Sequence, residues 1–198
     1  TFLNFVIQGP YKTTPNRENI PLDDEQNKII IEETGKLIAE SLVIIRDLGY
    51  LDANFLGFLP IDSEKTNEPI YSVVYKNVKE KLLSEELLPT SDGNYTKSDD
   101  AILADGEGLT EFLDSIDLHE LYSKKAWLDT NITRHTKKEL REYLMSELEV
   151  VEANFESFAR KITEKFLQSK SDEWMTGFYR RLLDQHALWA GGHFSKPI

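Results

Sequence analysis

Cysteine is absent from the 198 residues, which removes disulfides, thiolate metal sites and a cysteine nucleophile together and fits a reducing compartment. No apolar run approaches the roughly 18 residues that a membrane-spanning helix needs. The N-terminus also lacks the charged region and cleavage site of a signal peptide, so the expected location is the cytoplasm, with no membrane partner. The sequons Asn94-Tyr95-Thr96 and Asn131-Ile132-Thr133 accordingly read as coincidences, because glycosylation has a mechanism only in a secreted chain. Basic charge is scarce as well: 23 Lys and Arg face 35 Asp and Glu, a net charge of -12. A phosphate backbone is repelled by such a chain unless its basic residues segregate. They do not, since the densest run, residues 134–138, is followed at once by Glu139 and then Glu142. Nucleic-acid binding by this segment is disfavoured.

Complete catalytic motifs are missing too. The chain has no Gly-x-x-x-x-Gly-Lys-Ser/Thr, no Gly-x-Gly-x-x-Gly and no Gly-x-Ser-x-Gly, and so no phosphate loop or nucleophile elbow. Asp105-Gly106-Glu107-Gly108 resembles a Gly-rich phosphate turn, but the Asp-x-Gly-x-Gly box of histidine-kinase-like ATPases needs glycine where Glu107 and Leu109 stand. A plain turn between helices is the better reading. Asp92, Asp99 and Asp100 follow only fragments of a calcium loop. The four histidines, His119, His135, His186 and His193, show no i, i+4 pair, so no metal site is expected. Trp174, Phe178, Tyr179 and Trp189 beside Arg180 and Arg181 have the chemistry of a single-strand nucleic-acid platform. At helical spacing, however, Trp174 and Phe178 read first as core. Glu139, Glu142, Glu147 and Glu149 read as a solvated face.

What is present is enough apolar residue, 40% with aromatics throughout, to bury one core or two small lobes. The expected class is α+β, mainly α-helical, with a few short strands or hairpins. Residues 2–8 read as a strand stopped by Gly9-Pro10, and residues 11–21 as a loop. A chain opening at Thr1 inside a strand is expected to be a fragment of a larger protein. Asp23 or Asp24 caps a long helix whose stripe runs from Ile30 to Leu48 and which Gly49 stops, with burial on more than one side around residues 42–45. Pro69 opens a second helix reaching Ser84. Ser91-Asp92-Gly93-Asn94 turns a hairpin, residues 98–104 and 109–113 read as short helices, and residues 126–133 as a strand or extended segment. Helices are expected over 137–148, capped by Thr136, over 154–166, and from Ser171-Asp172 to Gly191-Gly192, the last carrying Trp174, Phe178, Leu182, Gln185 and Trp189 on one face. Two lobes would divide near residues 84–90.

Residues 5–21, then Leu87-Leu88-Pro89-Thr90-Ser91-Asp92-Gly93, and later Asp172-Glu173-Trp174 with Phe178-Tyr179, resemble the segment after the nucleotide domain in bacterial sacsin-like proteins, whose ATPase is of the histidine-kinase-like (GHKL) type. The resemblance covers most of the chain loosely. It implies that residues 1–20 are the terminal strand and exit loop of a preceding ATPase domain and that 21–198 form the mainly helical region beyond it. ATP and magnesium would then belong to the parent protein and to no site within this segment. In related chaperones this region presents a basic residue to the phosphate and contacts clients, which makes Lys12 and Arg17 the residues to test. The competing reading of Arg17 is a simple ion pair with an acidic neighbour such as Glu18 or Asp23.

Two functions follow as expectations. One is a non-catalytic coupling and interaction module of a sacsin-like, chaperone-related ATPase, relaying nucleotide state to a partner or client and partnered by the upstream ATPase domain. The alternative is a self-contained enzyme whose site gathers distant residues such as Asp92, Asp99, His119 and His186.

Overall fold

A computed structural model describes residues 2–16, 18–105 and 108–184. Helix α1, Glu25–Asp47, starts where the Asp24 carboxylate accepts the Gln26 and Asn27 amides and ends at Leu48, followed by Gly49 at a φ of 77°. Asp24 is therefore the cap. Its buried face, Asn27, Ile31, Gly35, Ala39 and Leu42, packs on α3, Pro69–Ser84, through Tyr71, Val74, Val78 and Leu82. Between them lie the short α2, Ala53–Leu56, and a 3-10 turn over Ser63–Asn67. The broad burial expected around residues 42–45 is found in part: Leu42 is buried and Val43 and Ile45 are half-buried against the core, but Ile44 is 61% exposed, as are Leu37 and Leu48 to a similar degree. One flank of α1 is thus an uncovered apolar surface.

The antiparallel hairpin of β1, Leu88–Pro89, and β2, Tyr95–Thr96, forms on the expected turn. The segment beyond it corrects the sequence reading. Only Ser98–Asp100 coils, and Ala101–Ala104 is a strand, β3, at the centre of a three-stranded parallel sheet of order β4-β3-β5, with β4 Ala126–Trp127 and β5 Val151–Ala153. Both faces of this sheet are covered, so β3 reads as a continuous apolar run without alternation. Ala101 and Leu103 join one core with α1, α3 and α6, Lys138–Ser146. Ile102 joins a second, aromatic core built on α4, Leu109–Phe112, α5, Ser115–Tyr122, and the three helices that follow β5. The first core runs unbroken through Leu82, Leu87 and Leu88, and the two cores divide at the sheet rather than near residues 84–90.

The single helix expected over 154–166 is two. Helix α7, Phe155–Lys161, opens on a capping box between Asn154 and Ser157. Ile162 then turns to an extended ψ of 134°, and Thr163 caps α8, Glu164–Gln168. Helix α9, Asp172–Asp184, begins where expected and buries Phe178 and Leu182, whereas Gln185, Trp189 and Gly191-Gly192 lie outside the described residues. Thr136 does not cap α6. Its own amide is bonded by the Thr133 hydroxyl, and Lys137 stands at the N-cap with no side-chain bond.

Candidate functional site

Residues 2–8 have the alternation of a strand but no ladder. Leu3, Phe5 and Ile7 pack against the first core, while Phe2 and Val6 are exposed, Val6 by 94%. No backbone–backbone hydrogen bond joins residues 2–10 to any other described residue, so the expected strand is an extended segment docked by its side chains alone. A strand needs a neighbouring backbone, and the described chain brings none alongside.

The segment is tied to α1 through Tyr11 and Lys12. Asn27, fully buried, accepts the Lys12 amide at 2.9 Å and donates to the carbonyls of Lys12 and Pro21, each at 2.9 Å. Tyr11 and Thr34 share a hydroxyl hydrogen bond of 2.8 Å about two turns further on. The Lys12 ammonium lies 2.9 Å from Asp24, and this bond, with the Asn27 amide, holds the Asp24 carboxyl below its ordinary value. Lys12 is therefore tied to the helix cap. Arg17 lies outside the described residues.

A second concentration of charge sits at the carboxyl ends of the parallel strands. There a cleft of about 710 Å³ is lined by Asp105, which follows β3, by Asp129, which follows β4, and by Arg134, Arg141 and Arg181. Arg141 is 3% exposed, a rare state for a guanidinium. It donates to Glu152 of β5 through Nη2 at 2.7 Å and Nε at 3.2 Å, and to the carbonyls of Ile132 at 2.7 Å and Ala104 at 3.0 Å. Burial pushes the Glu152 carboxyl up, but the bonds from Arg141 and Arg134 outweigh it and hold the group below its ordinary value. Arg134 bridges Asp105 at 3.0 Å and Glu152 at 2.7 Å, both through Nη2. From α9, the Arg181 guanidinium lies against Gly108, whose φ of 86° and missing Cβ make the approach possible; a Cβ there would stand 2.7 Å from it.

The residues of the enzyme reading are not brought together. Asp92 lies in the hairpin turn, where bonds from Thr90 and Asn94 keep its carboxyl low. Asp99 is in the 3-10 turn and His119 on α5, all three are exposed, and none lines a described cleft. His186 and His193 lie outside the described residues. Among the described residues no group of three or more His, Asp and Glu is placed to hold a metal ion. Trp174 and Phe178 stack at 5.2 Å, Phe178 buried in the aromatic core and Trp174 half-buried against it, as the helical spacing predicts. Glu139, Glu142 and Glu149 are exposed as expected, whereas Glu147 is half-buried against Lys79 at 2.6 Å.

Sequence reasoning missed Asn27, Arg141 and Glu152. For Arg141 a signal existed: it stands between Leu140 and Tyr143 on the apolar stripe of α6, where a charged residue has to find buried partners. Asn27 has no such signal, because one helix turn inside a long helix an Asn reads as surface. Against models of known families, curated proteins and solved structures, the chain has no significant match. No helix among the described residues is long and apolar enough to cross a membrane.

Proposed function

We propose that this chain is a non-catalytic coupling and interaction module, of the kind that follows the nucleotide domain in sacsin-like, chaperone-related ATPases, relaying nucleotide state to a partner or client. The observation that carries the reading is the docked extended segment. A strand-like stretch with its backbone groups unshared among the described residues is ready to take up a neighbouring strand, and Asn27 fastens its far end to a 23-residue helix. Displacement of that segment is passed directly to α1, and from α1 to α3 and the first core. Lys12 serves this linkage through Asp24.

The strongest charges of the cleft act on one another. Arg141 bonds Glu152 and two carbonyls, and Arg134 bonds two carboxylates. This supports a scaffold role for the cluster over acid–base chemistry, in which a group with a poised proton is needed. Titration of residues 1–198 with magnesium and ATP in a calorimeter tests the reading. No binding at micromolar nucleotide is expected, and micromolar affinity sinks it.

A further inference from the structure

We propose that the cleft at the carboxyl ends of the parallel sheet binds the phosphoryl group of a small molecule, gripped between Arg134 and Arg181. The topology is the first argument. From β3 the chain crosses to β4 on one side and from β4 it returns past β3 to β5 on the other, so the connections leaving β3 and β4 run in opposite directions. In parallel sheets ligands bind outside the carboxyl ends of the strands at such a switch point. Asp105 follows β3, Glu152 lies in β5, and Arg134 spans the two.

The donors are the second argument. Arg134 spends only Nη2 on its two carboxylates, and Arg181 reaches Glu111 through Nη2 at 3.4 Å. Nε and Nη1 of both have no protein partner among the described residues, and both side chains line the same cleft. Each guanidinium therefore keeps charged N–H donors that no described protein group uses, and such donors make strong bonds to phosphate oxygens. The Thr110 and Thr130 hydroxyls line the same walls.

Charge and size are the third. Asp105, Glu111 and Asp129, with the Glu152 that Arg134 and Arg141 bond, face Arg134, Arg141 and Arg181, a local balance of three cations against four carboxylates in a chain whose net charge is -12. An anion meets less repulsion here than over most of the surface. A volume of about 710 Å³ falls in the range of small-molecule sites and exceeds what free phosphate fills. Asp105 and Glu152 fix the Arg134 head, so its remaining donors are pre-aimed.

Asp105 follows the central strand of the sheet, and the missing Cβ of Gly108 is what lets the Arg181 guanidinium lie against it.

The test is a titration of isotope-labelled residues 1–198 followed by amide chemical shifts, with inorganic phosphate in one arm and glucose 6-phosphate in the other. Saturable shifts confined to residues 105, 108–111 and 129–136 are expected. Arg181→Ala should weaken binding about tenfold or more, the worth of one or two charge-assisted bonds, with the fold kept because Arg181 is 38% exposed; Arg134→Lys should do the same while keeping the charge. Tighter binding of the ester assigns the site to a phosphorylated small molecule, and equal binding assigns it to free phosphate. No saturation in either arm, shifts located elsewhere, or binding unchanged in both variants overturns the proposal. Because ATP at micromolar concentration is not the probe, this outcome is separate from that of the coupling reading.

Discussion

Arg141→Met removes one buried guanidinium and leaves its partners behind. Glu152, whose side chain is 15% exposed, keeps only Arg134, and the Ile132 and Ala104 carbonyls lose their donor. Breaking a buried pair by deleting one member costs about 3–5 kcal/mol, since the remaining charge must be desolvated without compensation. A domain of this size shifts its Tm by about 2–4 °C per kcal/mol, so the expected fall is about 6–20 °C. Urea unfolding followed by circular dichroism measures the loss as a drop in midpoint at unchanged slope. Arg141→Met with Glu152→Leu should recover part of it, because the orphaned carboxylate is gone and the site becomes an apolar contact between α6 and the sheet. A single variant losing less than about 1 kcal/mol, or a double variant as damaged as the sum of its parts, would show that the cluster does not hold β3, β5 and the 132 loop together.

Gly35→Ala on α1 places a Cβ 2.9 Å from Val73 Cγ1 and 3.3 Å from the Val73 carbonyl. Overpacking should outweigh the gain in helix propensity and cost about 1–2 kcal/mol, and a thermal melt showing higher stability would refute the close approach of α1 and α3. Asn27→Ala cancels three hydrogen bonds at a fully buried position. Hydrogen exchange should then show the Lys12 amide unprotected and limited proteolysis should cut within residues 3–21, while α3 stays protected. Acid should act through Glu152 and Glu147, both held below an ordinary value of 4.5, Glu152 against its burial by Arg141 and Arg134, Glu147 by Lys79 and Tyr75. A depressed carboxylate stabilises the fold above its unfolded value and loses that contribution as pH falls through its folded value. Stability should therefore hold down to about pH 4.5 and fall below it, and Glu152→Gln should flatten that fall in a pH series of urea melts.

Local signals were legible where local chemistry decides. Asp24, Gly49, Pro69 and the Ser91–Asn94 turn each act within four residues, and each marks a real boundary. Residues 101–104 were not legible, because Ala-Ile-Leu-Ala is a helix turn or a doubly covered strand with equal ease. Its state is settled by Trp127 and Val151, more than twenty residues away. The converse error fell on residues 2–8, where alternation matched a strand but no neighbouring backbone is within the described chain. The break at Ile162-Thr163 is local, and the Thr163 hydroxyl reaching the Phe166 amide at 3.1 Å was its readable mark.

These two misreadings bear on function unequally. Reading residues 2–8 as a paired strand changes only what lies beside them. Reading 101–104 as a helix erases the parallel sheet, and with it the meaning of Asp105, Asp129 and Arg134, which then look like scattered loop charges. Once β3 is central, Asp105 is the residue that follows the middle strand of a parallel sheet, at its carboxyl end. The buried Arg141 follows from the same geometry. Ala104 ends β3 and Glu152 belongs to β5, so a cation inserted between α6 and the sheet is the one group able to satisfy the carbonyl of one strand and the carboxylate of the other. A site of this kind has no motif to find, since its members come from the ends of β3 and β4, the 132 loop, α6, β5 and α9 and become neighbours only through the order of three very short strands.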